Sequence, residues 1–300
     1  MPWYVGSIVL STSAPTATNP FCICAGPDGN LWVGTTAGQI CRVTTTGTVT
    51  IYPVSGESFN GICAGSDGNL WVTSSGSESL IRSTTSGGIT GYNLSGSYPF
   101  SICAGSDGNL WVADVNGAIW QVTTAGASTS FADSDVPYGI CAGPDGNLWA
   151  STDSGIVQKI TTGGSITSYT VPGMTPTWGI CVGPDNNLWT VSTGVYPEWN
   201  NLFQITTSGV VVPFSLTEYE WQFTGICAGP DGNLWVTDNT GSVWKATTLG
   251  VGTEYPITSG PLYGICTGSD GNLWATDFDN DLIWKITTSG VGTSYPLVEV

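Results

Sequence analysis

Hydrophobic and polar positions alternate along this chain in short runs, which Gly, Asp-Gly or Asn-Asn pairs, or paired Thr residues interrupt. Residues 225–256 show the pattern clearly and predict four short strands, which we label A (225–228), B (233–237), C (242–247) and D (251–256). An Asp-Gly turn between strands A and B permits the positive φ that a tight hairpin needs. No segment shows the 3.6-residue period of an amphipathic helix.

The same pattern recurs along the whole chain. A segment such as Gly-Ile-Cys-Ala-Gly-Ser-Asp-Gly-Asn-Leu-Trp at 61–71 returns about every forty residues, a period typical of propeller blades. Its tryptophan stands at seven positions: Trp32, Trp71, Trp111, Trp149, Trp189, Trp235 and Trp274. The repeat predicts an all-β fold, a single seven-bladed β-propeller over residues 1–300 with four antiparallel strands per blade. The blades are expected to start near residues 21, 60, 100, 138, 178, 223 and 263.

The two ends of the chain compete for one place in the ring. Residues 290–300 complete a strand D for the seventh copy, while residues 3–10 also read as a strand. One end is therefore expected to be the outer strand of the closing blade. The other, within residues 1–20 if it is the N-terminal one, is an extra strand, an arm, or an edge offered to a partner.

Seven of the nine cysteines occupy one position of strand A, the strand nearest the axis. Packed sheets lie about 10 Å apart, which exceeds the Cα separation of about 7 Å that a disulfide tolerates. We therefore expect free, buried and inert thiols that act as small apolar residues. Without histidine or a Cys-x-x-Cys pair, a metal or redox role is the weaker interpretation.

Charge excludes several classes of partner. The formal net charge is −17, with five Lys and Arg residues in total, so a nucleic acid backbone or an anionic membrane surface would be repelled. Only 9% of the residues are charged, so apolar packing and backbone hydrogen bonds must hold the fold together. No apolar run approaches the roughly 18 residues of a spanning helix, and the start lacks the basic segment of a secretory signal. Composition favours an extracellular or particle-surface location.

The string Gly-Pro-Asp-Gly-Asn-Leu-Trp, at 26–32, 143–149 and 229–235, resembles the blade signature of virginiamycin B lyase-like propellers. The likeness extends over essentially the whole chain. The resemblance implies a seven-bladed disc closed by strand exchange between its ends. It also implies Mg²⁺ held near the axis by acidic residues, and a histidine base for eliminative ring opening of a cyclic antibiotic.

The chain departs from that pattern at the residues that would do the chemistry. The third residue after the repeated tryptophan is acidic in the family signature, but here it is acidic in only three of the seven copies. Its occupants are Thr35, Ser74, Asp114, Thr152, Ser192, Asp238 and Asp277. The chain has no histidine, so a base near pH 7 would have to be a strongly shifted carboxylate, Lys or Cys. We expect the lyase chemistry to be lost.

Two rings of side chains follow from the repeat. The A–B turns carry seven aspartates, which we interpret as turn residues rather than as a cation site. On the opposite face, called the top, the B–C and D–A loops meet, and an aromatic residue precedes each strand A. The expected collar at the channel mouth consists of Phe21, Phe59, Phe100, Tyr138, Trp178, Phe223 and Tyr263.

The fifth repeat is longer than the others, and its two insertions both fall on the top face. Exposed aromatic residues in a patch mark contact surfaces, although they could also cover the edge of a distorted blade. Aromatic planes beside carboxylates suit a sugar or a protein interface. The candidate ligand-binding or partner-binding residues are Trp178, Tyr196, Glu198, Trp199, Glu218, Tyr219 and Trp221.

The top loop of the seventh blade reads Asp277-Phe278-Asp279-Asn280-Asp281. Alternating carboxylates can supply oxygen ligands, so Asp277, Asp279 and Asp281 form a candidate Ca²⁺ or Mg²⁺ site. The loop lacks the Gly and terminal Glu of an EF-hand, and a solvated acidic turn without a cofactor is the default interpretation.

Four functions compete at this stage. The first is a non-enzymatic binding or assembly propeller that contacts a protein partner, itself or a glycan through the top loops of blades four to six and a surplus terminal strand. The second is a Mg²⁺-dependent enzyme of the virginiamycin B lyase type, which the absence of histidine disfavours. The third is a lectin-like sugar binder, and the fourth is a passive structural disc with no ligand.

Overall fold

The computed structural model describes residues 16–171, 179–192, 201–216 and 222–299. These residues form seven sheets of four antiparallel strands, each sheet in the order A-B-C-D, which confirms the predicted seven-bladed propeller. The first four blades contain β1 Pro20–Ala25, β2 Leu31–Thr35, β3 Gln39–Val43, β4 Val49–Pro53, β5 Phe59–Ala64, β6 Leu70–Ser74, β7 Ser79–Ser83, β8 Ile89–Asn93, β9 Pro99–Ala104, β10 Leu110–Asp114, β11 Ala118–Val122, β12 Ser128–Ala132, β13 Pro137–Ala142, β14 Leu148–Thr152, β15 Ile156–Ile160 and β16 Ile166–Thr170. The last three contain β17 Ile180–Val182, β18 Leu188–Val191, β19 Leu202–Ile205, β20 Val211–Phe214, β21 Phe223–Ala228, β22 Leu234–Asp238, β23 Ser242–Ala246, β24 Gly252–Pro256, β25 Leu262–Thr267, β26 Leu273–Asp277, β27 Leu282–Ile286 and β28 Gly292–Pro296.

The repeated Asp-Gly-Asn-Leu-Trp string forms a closed hydrogen-bonded turn. In blade one, the Trp32 indole N–H donates to Asp28 Oδ1 at 3.0 Å, and the Asn30 side-chain amide donates to Asp28 Oδ2 at 2.8 Å. The equivalent indole–carboxylate distance is 2.9 to 3.2 Å in all seven blades. The turn aspartates therefore fix the buried tryptophans, as the turn interpretation requires.

Neighbouring blades pack through one repeated layer of side chains. Between blades one and two, Trp32 and Cys24 lie against Ile62, Leu70 and Val72 of the next blade. The tryptophan of every strand B is fully buried. Each of the seven interfaces has its own core cluster of this kind, so the hydrophobic core is a ring of seven layers.

The cysteines are all free, as expected from the spacing of the sheets. Burial raises the pKa of every thiol. The pKa reaches about 12 for four of them: Cys22, Cys41, Cys141 and Cys227. A thiol that stays protonated at neutral pH is a poor nucleophile and a poor metal ligand, which agrees with their packing role.

An outer strap joins each blade to the next. Tyr295 of strand D stacks on Trp274 of its own blade at a centroid distance of 5.6 Å. It also covers Gly47 in the C–D turn of blade one, where φ is +92° and a Cβ would lie 2.1 Å from the ring. Equivalent aromatic residues cover a C–D glycine at every interface, so glycine is required there by both conformation and space.

The ring closes without strand exchange among the described residues. Blade seven takes all four strands from one continuous segment, and its outer strand is the C-terminal one, Gly292–Pro296. Trp274 of blade seven packs on Ile23 and Leu31 of blade one, and Thr16 forms an antiparallel bridge with Val298. The resemblance had implied strand exchange. Residues 3–10, the alternative closing strand, lie outside the described residues.

Candidate functional site

The axis of the propeller contains a channel with a cavity of about 170 Å³. The described lining comes from strand A of all seven blades, with side chains at three successive levels. Bulky or polar side chains stand at the mouth, glycine or another small residue follows in most blades, and one isoleucine per blade lies below. The isoleucines are Ile23, Ile62, Ile102, Ile140, Ile180, Ile226 and Ile265.

In six blades, a β-bulge at the start of strand A aims one residue towards the mouth. In blade two, Phe59 pairs with Ser74 and Gly61 with Thr73, which leaves Asn60 without a partner on strand B. The pairing between strands A and B shifts at the same place in blades one, three, four, six and seven. Bulges re-aim side chains in this way, and they recur next to functional sites.

The bulge corrects the predicted collar. Phe59 and Phe223 precede the bulge, and both are buried between blades rather than exposed to the channel. Asn60 and Thr224 occupy their places at the mouth. The sequence analysis took the aromatic residue nearest to each strand A and did not recognise the bulge residue between them. The sequence does contain a signal, because the repeated cysteine lies one residue further from Phe59 and Phe223 than from Phe21.

Glycine after the bulge allows adjacent inner strands to approach closely. A Cβ at Gly61 would lie 2.7 Å from the carbonyl oxygen of Phe100 in blade three. The Thr73 hydroxyl spans the same gap and donates to that oxygen at 2.8 Å. In blade one the sizes are exchanged, because Cys22 takes the glycine place and Gly34 the threonine place.

The other collar aromatics among the described residues form a continuous arc. Ring centroids are 5.4 Å apart for Tyr138 and Phe100, 6.3 Å for Phe100 and Phe21, and 4.9 Å for Phe21 and Tyr263. Phe278, from the top loop of blade seven, joins the arc at 5.3 Å from Tyr263. The sequence analysis assigned no role to Phe278, so this contact was not predicted. The arc gives one side of the mouth an aromatic surface.

The three acidic residues at the family's acidic position are internal to their blades. Asp114, Asp238 and Asp277 are buried. Each accepts a hydrogen bond from the indole of a strand C tryptophan, at 2.9, 2.8 and 3.0 Å. The tryptophans are Trp120, Trp244 and Trp284, and strand C carries no tryptophan at this position in the four blades without the acid. These carboxylates therefore anchor tryptophans.

The described residues do not fit the Mg²⁺ that the resemblance implies. Mg²⁺ requires oxygen ligands, usually including a carboxylate, and the described lining of the channel contains none. Nor do any three carboxylates, thiols or imidazoles converge on a metal-sized site within residues 16–171, 179–192, 201–216 and 222–299.

The loop at 277–281 has internal partners for two of its three carboxylates. Asp277 accepts from the hydroxyl of Thr258 at 2.8 Å in addition to the indole of Trp284. Asp281, at φ +56°, accepts the backbone N–H of Asn19 at 2.7 Å. Asp279 lies near Tyr263, whose pKa is raised by burial and then by this carboxylate. A cation at Asp277, Asp279 and Asp281 stays a prediction.

The candidate residues of the fifth repeat cannot be placed. Trp178, Tyr196, Glu198, Trp199, Glu218, Tyr219 and Trp221 all lie outside the described residues. The ligand-binding or partner-binding role assigned to them stays a prediction. Gly179, which follows Trp178 in the sequence, belongs to the channel lining at the level of the small residues.

Three of the turn aspartates on the bottom face form ion pairs with lysine side chains. Burial acts to raise the pKa of Asp145, but hydrogen bonds from Lys159, Asn147 and Trp149 together outweigh it and lower the pKa to about 2. Lys159 contacts Asp145 at 2.8 Å and lies 5.6 Å from the centroid of the Trp149 ring. Lys245 and Lys285 repeat this arrangement in blades six and seven. The aspartate ring is a set of structural contacts.

An exposed apolar patch lies on the C–D turns of blades five to seven. Val210, Leu249, Val251 and Val291 are 58%, 81%, 64% and 61% exposed. The residue that follows the turn glycine is valine in these three blades, whereas blades one to four have Thr48, Gly88, Ala127 and Ser165. This difference between repeats is the signal by which the sequence could have revealed the patch. We call these four residues the rim patch.

Within the described part of the chain, no helix is long and apolar enough to cross a membrane.

Comparisons with known proteins agree with the geometry of the disc. The structure of a streptogramin B lyase superposes with a TM-score of 0.80 at 24% identity, covering 89% of this chain and 92% of that one. Selenomethionine-substituted virginiamycin B lyase from Staphylococcus aureus gives a TM-score of 0.78 at 26% identity, covering 94% and 97%. A catalytically inactive variant of the same lyase, in which alanine replaces a histidine, was solved with quinupristin. It also gives 0.78 at 26% identity, covering 95% and 96%.

No curated protein matches the chain. The profile of the virginiamycin B lyase family matches residues 6–192 and, in a second match, residues 131–300. Together the two matches extend over nearly the whole ring, so the chain belongs to the virginiamycin B lyase family.

Proposed function

We propose that this chain is a non-enzymatic member of its family, which binds a protein partner or a second copy of itself instead of opening a cyclic peptide. The observation that carries the proposal is the absence of histidine from all 300 residues. In the S. aureus relative, a variant that has lost one histidine is described as catalytically inactive.

No described group at the channel mouth is suited to replace an imidazole base. The ionisable side chains of the described lining are the Cys22 thiol and the Tyr263 phenol. Burial raises the pKa of Cys22 to about 12 and that of Tyr263 above its usual value. A general base works best when its pKa lies near the operating pH, so both groups stay protonated at neutral pH.

Two surfaces support a binding role. At the mouth, the aromatic arc of Tyr138, Phe100, Phe21, Tyr263 and Phe278 borders a cavity of about 170 Å³, which suits one inserted apolar or aromatic side chain. At the edge, the rim patch exposes several large apolar side chains in neighbouring blades, and such patches mark contact sites.

The rim patch favours a second copy of the chain as its occupant. A net charge of −17 opposes self-association over most of the surface. The C–D turns at 206–210, 247–251 and 287–291 contain no charged residue, so two rim patches can meet with little repulsion.

Lyase activity is the second candidate, and family membership together with the 26% identical structures favours it. It would need a base among side chains such as Glu198 and Glu218, which lie outside the described residues. Sugar binding by Trp178, Trp199 and Trp221 is the third candidate, and a glycan array tests it.

A direct assay separates the first two candidates. The purified chain is incubated with quinupristin and Mg²⁺, and the products are separated by liquid chromatography and analysed by mass spectrometry. The S. aureus lyase is the positive control. Because elimination conserves mass, the ring-opened product is recognised by its retention time and fragmentation. We expect none; ring opening by the chain would establish the lyase alternative.

Light scattering tests the binding role. We expect the chain to form dimers or larger species that dissociate on dilution, and Val251→Asp to shift the population to monomers. The matched control is Thr48→Asp, which adds the same charge at the equivalent turn position of blade one. A chain that is monomeric at all concentrations, or that responds equally to both substitutions, would exclude the rim patch as a self-contact.

A further inference from the structure

A half-buried polar cluster lies at the top of the interface between blades three and four, away from the channel. Gln158 of strand β15 is fully buried there. In the other blades its position in the middle of strand C is occupied by Cys41, Ile81, Trp120, Phe203, Trp244 and Trp284. An amide at a position otherwise taken by apolar or indole side chains is a departure from the repeat.

The Gln158 amide faces two carboxylates of the loop that joins the two blades. Its Nε2 donates to Asp133 Oδ1 at 2.8 Å and to Asp135 Oδ2 at 3.2 Å. The loop is fixed by two more hydrogen bonds, from the Asp135 backbone N–H to Asp133 Oδ1 at 3.1 Å and from the Ser154 hydroxyl to Asp135 Oδ1 at 3.0 Å.

Two oxygens of this cluster remain without a donor. Asp133 Oδ2 and Gln158 Oε1 are both buried, and neither accepts a hydrogen bond. Without a cation, rotating the amide would not help, because Oε1 would then face the two carboxylates in place of the N–H groups. With a cation bound between them, that same orientation lets Oε1 and the carboxylates all act as ligands. Buried acceptors without a partner are rare in native proteins, and each one calls for an explanation.

The charge of the cluster favours a cation over a water molecule as the partner of these two oxygens. Asp133 and Asp135 carry two formal negative charges, and neither takes part in an ion pair formed by the described residues. A water molecule could donate to both acceptors but would leave the charge uncompensated. A hard cation satisfies the oxygens and the charge together.

We propose that Asp133, Asp135 and Gln158 form a Ca²⁺ site that bridges blades three and four. Ca²⁺ accepts carboxylate, amide and water oxygens in irregular arrangements, whereas Mg²⁺ demands a near-octahedral set. Two carboxylates and one amide give few protein ligands, so water completes the shell and the dissociation constant is on the order of 10⁻⁴ to 10⁻³ M. The bound ion ties the connecting loop to strand β15. This inference does not depend on the proposed function.

The test uses the full chain freed of metal by a chelating resin. Calorimetric titration with Ca²⁺ should show one site per chain, and about 10 mM Ca²⁺ should raise the melting temperature by about 2 °C or more. Asp133→Asn and Gln158→Met should each weaken the binding at least about tenfold, since each removes one ligand oxygen.

Asp279→Asn, which removes a carboxylate from the top loop of blade seven, is the matched control and should bind Ca²⁺ like the unaltered chain. If Asp133→Asn does not fold, Gln158→Met carries the test, because it keeps the side-chain volume and removes the oxygen. The proposal is overturned if the unaltered chain gives neither heat nor a melting shift. It is equally overturned if Asp279→Asn abolishes binding while Gln158→Met leaves it intact.

Discussion

The pair formed by Asp238 and Trp244 offers a quantitative test of the role assigned to the family's acidic position. Asp238 is fully buried, and its Oδ2 accepts the Trp244 indole N–H at 2.8 Å. Its Oδ1 accepts the backbone N–H of Ser242 at 2.9 Å, and both the backbone N–H and the hydroxyl of Thr240. If this carboxylate exists to hold the indole, the two side chains must be strongly coupled.

The perturbation is a double-mutant cycle with Asp238→Thr and Trp244→Phe. Threonine is chosen because Thr35 of blade one, at the same position, accepts the N–H of Gln39 at 3.1 Å. Asp238→Thr should therefore keep the bond to Ser242 and lose the one to the indole. A hydrogen bond to a charged group contributes about 1.5–3 kcal/mol, and an unpaired buried donor costs about 1–3 kcal/mol. We expect each single substitution to destabilise the fold by about 2–4 kcal/mol.

The double variant should cost less than the sum of the single ones. Once the indole is gone, removing the carboxylate no longer strands a buried N–H, so we expect a coupling energy of about 2 kcal/mol. Urea unfolding followed by tryptophan fluorescence measures it, provided that the slope m stays constant across the four proteins.

Either of two results would refute the reasoning. The first is additivity within about 0.5 kcal/mol, the range found for independent sites. The second is a gain in stability for Asp238→Thr, which would mark a carboxylate retained for function at the expense of folding. The pair Asp114 and Trp120 in blade three provides an internal repeat of the measurement.

Three further predictions concern the turns, the acid limit and the thiols. Gly290→Ala should destabilise the fold by at least about 2 kcal/mol more than Gly56→Ala in urea unfolding. Both glycines have φ near +85°, but only at Gly290 would the new Cβ lie 2.0 Å from an atom of Tyr255, whereas Gly56 has open space. Equal losses of stability would show that the Tyr255 ring can move aside at little cost. The pKa of Asp145 is lowered to about 2 in the folded chain, so its stabilisation is present above about pH 4 and is lost as the pH falls from there towards 2. Lys159→Met should flatten this acid dependence in unfolding measured from pH 2 to pH 7, and an unchanged slope would contradict it. Burial raises the pKa of all nine thiols, so their contribution to folding stability should be constant below about pH 8.5 and fall as the pH rises above it, because only the unfolded chain then loses protons. A thiol-exchange reagent at pH 8 should modify nine cysteines in denaturant and almost none in the native chain; rapid labelling of the native chain would show that the inner strands open.

Local chemistry within the repeat made the blades predictable. The Asp-Gly-Asn-Leu-Trp string closes its own hydrogen bonds within five residues, so its conformation does not depend on distant partners. Seven copies then impose the same interface seven times, with a tryptophan of one blade against Ile and Leu of the next. The free cysteines followed from the same geometry, because the spacing of packed sheets is a general property.

The channel mouth was less predictable, because it depends on contacts between strands about forty residues apart. Phe59 and Phe21 both precede a strand A, yet the bulge places one between blades and the other at the mouth. Whether the extra residue sits at Asn60 is decided by the distance between inner strands, where Gly61 leaves room for the carbonyl oxygen of Phe100. The burial of Asp238 could not be predicted for a similar reason, because the tryptophan whose indole it binds lies on another strand.

By itself, the sequence determined the number of blades, the four-strand order, the inert thiols and the lack of an imidazole base. These depend on residue identity and on contacts within one repeat or between identical repeats. Only the tertiary structure decided which side chains reach the axis, which carboxylates hold tryptophans, and that the C-terminal strand completes blade seven. Such features depend on how closely two strands approach across an interface, a distance that side-chain volumes and backbone carbonyls set together and that no single repeat encodes.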